Sequence, residues 1–265
     1  MQVSLLSRSK DDLNCTLVLK GISTAYANSI RRSFIENVPV LAIEDVEIRK
    51  NNSALYDEII AHRLGLIPLK TDIKTYEQAP DNYKNHDELN IKQKVTLTLK
   101  AKGPGMVYAS DIKSSDPSVK PVQPKMPIVN LLQGQELEFE AIAIVSVGRI
   151  HAKWSPCLSY YRLKPVIEIN KKVENAKEVI EKQPDKIFIL KNNNLVVDSE
   201  KILLSNLVEE AVSLCKPNGT VKLNYAEDEI IFSIESWGQL TCKEIVEEGL
   251  KQISLMCDDF IKALK

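Results

Sequence analysis

No C-x-x-C pair, glycine-rich phosphate loop, H-E-x-x-H or G-x-S-x-G occurs among the 265 residues, and no Asp triplet is present that could hold catalytic metal ions. Each absence removes a chemistry: a zinc or iron–sulfur site argued from spacing, a nucleotide cradle, a zinc hydrolase, a serine hydrolase. The three histidines, His62, His86 and His151, lie far apart and read as structural or surface residues. Five cysteines (Cys15, Cys157, Cys215, Cys242, Cys257) are an odd number at wide spacing, which argues against a disulfide framework and fits a reducing compartment. Charge of one sign is lacking too. Lys and Arg number 35 against 36 Asp and Glu, net −1, without the basic excess of a free-standing nucleic-acid binder. No apolar run reaches the roughly 18 residues of a membrane span. MQVSLLSRSKDDLN has neither the apolar core nor the cleavage site of a signal peptide. The expected location is cytoplasmic.

What is present is ordinary core-forming material, 44% apolar with 27% charged. Two short strands are expected at Val3 to Leu6 and Leu13 to Leu19. A helix capped by Ser23 or Thr24 follows, with Ala27, Ile30 and Phe34 on one face, and Val38-Pro39 ends it. A strand is expected from Val40 through Ile48, a short helix over Leu55 to Leu64 stopped by Gly65, and a polar loop at 71–90. Val95, Leu97 and Leu99 alternate as a strand. Four prolines make 114–127 an irregular connection. Leu137, Phe139, Ala141, Ala143, Val145 and Val147 alternate with Glu136, Glu138 and Glu140 as a long strand, and Val166 to Ile169 is another. From Lys171 to Lys222 the pattern predicts a helix (Glu174 to Lys182), a hairpin (Lys186 to Val197, Asn192-Asn193-Asn194 at its tip) and a helix (Ser199 to Leu214). The strand Ile230 to Ile234 and a helix from Thr241 onward close the chain. The class is α+β with mainly antiparallel sheet.

The last helix carries Val246, Leu250, Ile253, Cys257, Phe260 and Leu264 in a 4-3-4-3-4 rhythm, the spacing of a packed helix seam. Ile245, Met256 and Ile261 widen it. Some 25 helical residues span roughly 37 Å, longer than a small domain needs for its own core. Part of this stripe is expected to be buried by another chain.

One stretch stands out: Ala27-Asn28-Ser29-Ile30-Arg31-Arg32-Ser33-Phe34-Ile35, continuing through Val38-Pro39-Val40-Leu41-Ala42-Ile43 to Tyr56-Asp57-Glu58-Ile59-Ile60-Ala61-His62-Arg63-Leu64-Gly65-Leu66-Ile67-Pro68-Leu69. It resembles the alpha motif of DNA-directed RNA polymerase, shared by the bacterial alpha N-terminal domain, the eukaryotic third-subunit homologues and the D-type polymerase subunits of archaea. The Ala-His-Arg-Leu-Gly-Leu-Ile-Pro-Leu run is similar to archaeal and eukaryotic members. Two further segments agree, Gly148-Arg149-Ile150-His151-Ala152-Lys153-Trp154-Ser155-Pro156 and Phe232-Ser233-Ile234-Glu235-Ser236-Trp237-Gly238.

The resemblance implies a fold. An alpha-type dimerisation domain, an antiparallel sheet with two main helices, is expected from 1–40 and 223–265 with a return strand at 161–170. A β-rich insert domain is expected at 41–160 and a ferredoxin-like insertion at 171–222. It implies a function as well: a non-catalytic assembly subunit of a nucleotidyltransferase whose active site lies on other subunits. Such a subunit pairs with subunit L, is joined by the small zinc subunits N and P, and meets the second-largest subunit, with little or no nucleic-acid contact. Ile30, Phe34, Val246, Leu250, Ile253, Cys257, Phe260 and Leu264 would then face the L-type partner. Asn28, Arg31 and Arg32 would face the large subunit.

Some archaeal relatives hold an iron–sulfur cluster in the insertion. Here the segment Gln183-Pro184-Asp185-Lys186-Ile187-Phe188 has Gln where those relatives begin with a Cys-Pro ligand, and Ile202 to Val208 replaces the cysteine cluster. Cys215 alone cannot hold a cluster that needs three or four thiolates. The expectation is no cofactor, with Leu203, Leu204 and Leu207 filling the space. A redox-sensing iron–sulfur protein and a free-standing DNA-binding protein are the competing classes. Missing ligands disfavour the first and the neutral charge the second.

Overall fold

A computed structural model describes residues 1–80, 86–183, 185–192 and 194–264. In chain order the elements are β1 (Gln2–Arg8), β2 (Asn14–Lys20), α1 (Thr24–Glu36), β3 (Val40–Asn51), α2 (Asp57–Gly65), β4 (Lys94–Lys102), β5 (Gly105–Tyr108), β6 (Lys113–Ser114), β7 (Pro127–Leu131), β8 (Glu136–Ser146), β9 (Cys157–Ile169), α3 (Ala176–Lys182), β10 (Phe188–Lys191), β11 (Asn194–Val197), α4 (Lys201–Leu204), α5 (Val208–Ser213), β12 (Val221–Ser236) and α6 (Cys242–Ala263). Short 3-10 turns punctuate the connections. One four-stranded sheet runs β1-β2-β12-β9 and another β3-β8-β4-β6, with two-stranded pairs β5-β7 and β10-β11. The class is α+β.

Two compact units arise, each assembled from three stretches of chain. One comprises Met1–Leu6, Thr16–Ala27 and Tyr161–Phe232; the other comprises Ser7–Cys15, Asn28–Tyr160 and Ser233–Lys265. The insert segment expected at 41–160 lies inside the second unit and the insertion at 171–222 inside the first.

In the second unit, β8 is the central strand, antiparallel to β3 on one side and β4 on the other. Its alternation does the sorting. Leu137, Phe139, Ala141 and Ala143 point into a core shared with Leu97, Leu99, Ile128 and Leu131. Phe139 sits opposite Ile48 on β3 and Leu99 on β4. The outward glutamates pair with neighbouring cations, Glu140 with Arg49 at 2.6 Å, Glu136 with Lys50 at 2.7 Å and Glu138 with Lys100 at 2.8 Å. Exposed pairs of this kind contribute little individually. Ile60 and Leu64 of α2 join the same core.

The first unit holds a separate core from Val173 to Val221, made by Val179, Ile187, Phe188, Leu195, Ile202, Val208, Ala211 and Cys215. Gln183 is buried there. Its Nε2 donates to the Phe188 carbonyl at 2.6 Å, and its Oε1 accepts from the Phe188 N–H at 2.7 Å. The side chain thus satisfies both polar groups of a buried residue.

Several expectations are corrected here. The single helix expected over Ser199 to Leu214 is broken into α4 and α5. The apolar spacing runs on through the break, but the Ser205 hydroxyl bonds to Asp185 and accepts from the Leu207 N–H at 3.0 Å, an alternative to helical bonding typical of serine. Leu204 and Leu207 are exposed and do not fill the insertion's interior, while Leu203 packs only at its margin. The strand expected at Val166 begins at Cys157, and that expected at Ile230 begins at Val221, running through Glu227-Asp228-Glu229. Strands β5 and β7 arise where no strand is expected. Asn193 and part of the 71–90 loop fall outside the described residues.

Candidate functional site

Helices α1 and α6 cross in the second unit, and their packing explains the residues at the crossing. The Ser23 hydroxyl accepts from the Tyr26 N–H at 3.3 Å at the start of α1. At α6 Thr241 and Glu244 form a capping box, with the Glu244 N–H reaching Thr241 Oγ1 at 3.3 Å and the Thr241 N–H reaching Glu244 Oε2 at 2.8 Å. Gly249 lies against Phe34 so closely that a β-carbon there would stand 2.3 Å from the ring carbon Cδ1. Beside it, Ser33 Oγ donates to the Gly249 carbonyl at 2.7 Å. A hydroxyl bond to a helical carbonyl needs the backbones close, and the missing side chain at 249 permits that approach.

This contact uses only the first part of α6. Cys242, Ile245 and Gly249 are buried. Beyond them Leu250, Leu255, Met256, Phe260, Ile261 and Leu264 are exposed, Phe260 at 67%. An apolar series this long on one helix is the kind of surface that marks an interaction site.

Below the free stretch of α6 lies a groove of about 750 Å³, with Asn28, Ser29, Arg32, Ser33, Glu36, Asn37 and Arg149 on one wall and Ile253, Met256, Cys257, Phe260 and Ile261 on the other. The two walls differ in chemistry. The α6 wall is apolar, and the α1 wall is polar with a cationic excess. Arg32 grips Glu36 with two bonds, Nε to Oε1 at 3.1 Å and Nη2 to Oε2 at 2.9 Å. The hydrogen bond from Arg32, assisted by the charges of Arg32, Arg31 and Arg149, holds the Glu36 carboxyl below the usual glutamate range. Arg31 points elsewhere, its Nε donating to Asn28 Oδ1 at 3.0 Å. Arg149 is fixed by its backbone, whose N–H donates to the Glu36 carbonyl at 3.0 Å. Gly148 before it abuts the Ile35 carbonyl, where a β-carbon would stand 2.1 Å away.

The expected partner-facing residues divide accordingly. Ile30 and Phe34 are 6% and 2% exposed, already covered by their own chain. Val246 and Ile253 are half-buried, and Leu250, Cys257, Phe260 and Leu264 are open. Asn28 and Arg32 line the groove with Ile253, Cys257 and Phe260, whereas Arg31 does not. Arg149, Glu36 and Asn37 join the site without having been singled out from sequence. Arg149 stands within a segment noted for its resemblance, but no spacing pattern links it to residues more than 100 positions away.

The described residues do not fit an iron–sulfur cluster. Among the described residues, no three His, Cys, Asp or Glu side chains converge on one point. The Cys215 thiol is buried, its Sγ facing the Ala211 carbonyl, and burial pushes its pKa up to about 11, the reverse of what a thiolate ligand requires. The amide of Gln183 is fully occupied by Phe188.

Residues 46–156 match the family model described as the RNA polymerase Rpb3/RpoA insert domain. Over its whole length the chain is similar to proteins named DNA-directed RNA polymerase subunit Rpo3. It is 36% identical to that of Pyrococcus horikoshii, over 100% of this chain and 98% of the relative. Against Pyrococcus furiosus the identity is 36%, covering 100% and 97%. Against Methanosarcina acetivorans it is 36%, covering 100% and 98%.

Proposed function

The chain belongs to the Rpo3 family of DNA-directed RNA polymerase subunits, and from that premise we propose that it is a non-catalytic assembly subunit, of the archaeal D type, that pairs with an L-type subunit through α6. The pair forms a platform for the small zinc subunits N and P and for the large subunits that carry the active site. Segments 1–40, 161–170 and 223–265 serve as the dimerisation domain and 41–160 as the insert domain. Residues 171–222 are a ferredoxin-like insertion that keeps its scaffold without cluster ligands.

The observation that carries this reading is the exposed apolar stripe of α6. Leu250, Phe260, Ile261 and Leu264 stand in water in the single chain. Covering each large apolar side chain contributes roughly 1.5–3 kcal/mol as an upper estimate, so a partner that buries several has ample driving force. With Ile30 and Phe34 turned inward, the partner contact rests on the α6 residues Leu250, Ile253, Cys257, Phe260 and Leu264. The Arg32 side of the groove is left for the second-largest subunit.

Co-expression of Leu250→Asp with Ile253→Asp and the L-type subunit, followed by size-exclusion chromatography, tests the pairing. Carboxylates at both positions would have to be desolvated in the interface, so the heterodimer should not form, while Lys251→Glu on the solvated face should leave it intact. An intact heterodimer from the double Asp variant would sink the proposal.

A further inference from the structure

We infer that Asn218 is a self-modification site: the Gly219 backbone nitrogen closes on the Asn218 side chain, expels ammonia and leaves an aspartyl or isoaspartyl residue in the turn between α5 and β12. The inference stands apart from the assembly role proposed above.

The chain holds a single Asn followed by Gly, in the run Pro217-Asn218-Gly219-Thr220. Both residues are exposed. Neither the Asn218 amide nor the Gly219 N–H makes a hydrogen bond among the described residues. Gly219 takes φ +85°, and a β-carbon there would meet nothing within 4 Å, so the attacking nitrogen is uncrowded and its backbone free to turn. Asparagines followed by a small residue elsewhere, or placed in the same unit, are held. Asn28-Ser29 lies within α1, whose helical bonding fixes the backbone. Asn52 reaches across to the backbone of Glu136 and Gly134. Asn175 uses both ends of its amide, Oδ1 accepting from the Lys216 N–H at 2.8 Å and Nδ2 donating to the Leu214 carbonyl at 2.8 Å.

The turn is anchored on both sides and free at its tip. The Thr220 N–H and hydroxyl both donate to the Pro217 carbonyl, at 3.1 and 2.6 Å. The Thr220 carbonyl accepts from the Asn170 N–H at 2.9 Å and the Lys216 carbonyl from the Glu174 N–H at 3.0 Å. Between these anchors, Asn218 and Gly219 have no backbone partner among the described residues.

The step needs only water. The Gly219 nitrogen loses its proton and bonds to Cγ of Asn218, the Cγ–Nδ2 bond breaks, and Nδ2 departs with a proton as ammonia. Water then opens the cyclic imide. Addition at Cγ restores the chain with Asp at 218. Addition at the Asn218 main-chain carbonyl carbon frees that carbon as a carboxylate and leaves the chain running through Cγ, one methylene longer. The longer link pulls Thr220, which is buried, away from Pro217. Isoaspartate therefore loosens the turn, whereas Asp leaves its backbone as it was.

The assembled polymerase, purified through a tag on this chain, is aged at neutral and at alkaline pH and analysed by peptide mass spectrometry. Isoaspartate is counted by methyl transfer from labelled S-adenosylmethionine, with an isoaspartyl methyltransferase as reagent. Conversion should concentrate at Asn218, rise with pH because the attacking nitrogen must lose its proton, and give isoaspartate as the larger product. Gly219→Ala should slow it several-fold, and Asn218→Gln, whose ring would be one atom larger, should remove the signal. In calorimetry of the full chain, the aged protein should melt below the fresh one, and Asn218→Asp should melt with the fresh one. An Asn218 that stays intact in the native enzyme would overturn the inference. So would earlier conversion at Asn28, Asn52 or Asn175, a rate unchanged by Gly219→Ala, or aged protein that melts like fresh.

Discussion

Replacing Gly249 by alanine should destabilise the unit that holds α1 and α6, the reverse of the usual outcome for glycine in a helix. In an open helix this change gains roughly 0.5–1 kcal/mol. Here the added methyl would stand 2.3 Å from Cδ1 and 2.8 Å from Cε1 of Phe34, and 3.4 Å from Cγ2 of Val38. Carbon atoms in contact prefer about 3.5–4.0 Å, so the ring must retreat by more than about 1 Å. Phe34 and Val38 are both buried and have little room to give. Overpacking of this sort costs about 1–3 kcal/mol. Separating the helices also stretches the 2.7 Å bond from Ser33 to the Gly249 carbonyl, worth about 0.5–1.5 kcal/mol. The net loss is about 1–3 kcal/mol, which lowers the melting temperature by about 2–4 °C per kcal/mol for a domain of this size. Differential scanning calorimetry of Gly249→Ala, Phe34→Leu and the double variant reads it. The double variant should be more stable than the sum of the single losses predicts, because the smaller side chain vacates the space the methyl needs. A melting temperature for Gly249→Ala equal to or above wild type would refute the close-packing argument.

The two neighbouring arginines should behave differently: Arg32→Ala removes the grip on Glu36 and weakens joining to the large subunit, while Arg31→Ala loses the Asn28 contact and a lesser charge effect on Glu36. The Glu36 titration, followed by carboxyl NMR, should lie below the ordinary glutamate range in wild type and move up in Arg32→Ala. Because the folded-state pKa is depressed, the stabilising contribution is present above the unfolded value of about 4.3 and is lost as pH falls through the folded one. Equal assembly of both variants, or a Glu36 titration that does not move, would contradict the assignment. In the insertion, Gln183→Ala leaves both polar groups of Phe188 unpaired and should cost about 2–4 kcal/mol, seen as a lower melting temperature for that unit. Anaerobic reconstitution followed by iron analysis should leave wild type and Gln183→Cys alike at baseline. Stoichiometric iron retained through gel filtration would overturn the reading of the donor set.

The elements that announced themselves in sequence were those with strong local signals. Helix α1 has Ser23 before it and Val38-Pro39 after it, and α6 begins with a capping box at Thr241. The alternation of β8 is unbroken over four inward residues. Signals failed where a local bond overrode a pattern, as at Ser205, or where a strand's partner lay far away. The acidic turn-like run Glu227-Asp228-Glu229 is strand because Asp228 accepts from the Gly21 N–H at 2.9 Å, a contact no window contains. Strands β5 and β7, four and five residues long, are too short to carry a period. The groove was legible by halves. The apolar wall follows from helical spacing, and Arg32 from resemblance. Arg149 reaches the site only because the chain returns past Ile35, and the close packing of Phe34 depends on Gly249, a residue whose importance is the absence of a side chain.

The Ser33 to Gly249 bond joins positions 216 residues apart, and that separation has a consequence for biosynthesis. At about 5–20 residues per second, the ribosome takes about 10–40 s to deliver the segment that covers Phe34. Throughout that interval Phe34 lacks the cover that α6 supplies at Gly249, and a chain that stops early would never gain it. Completion of this packing is therefore timed by the arrival of the last helix.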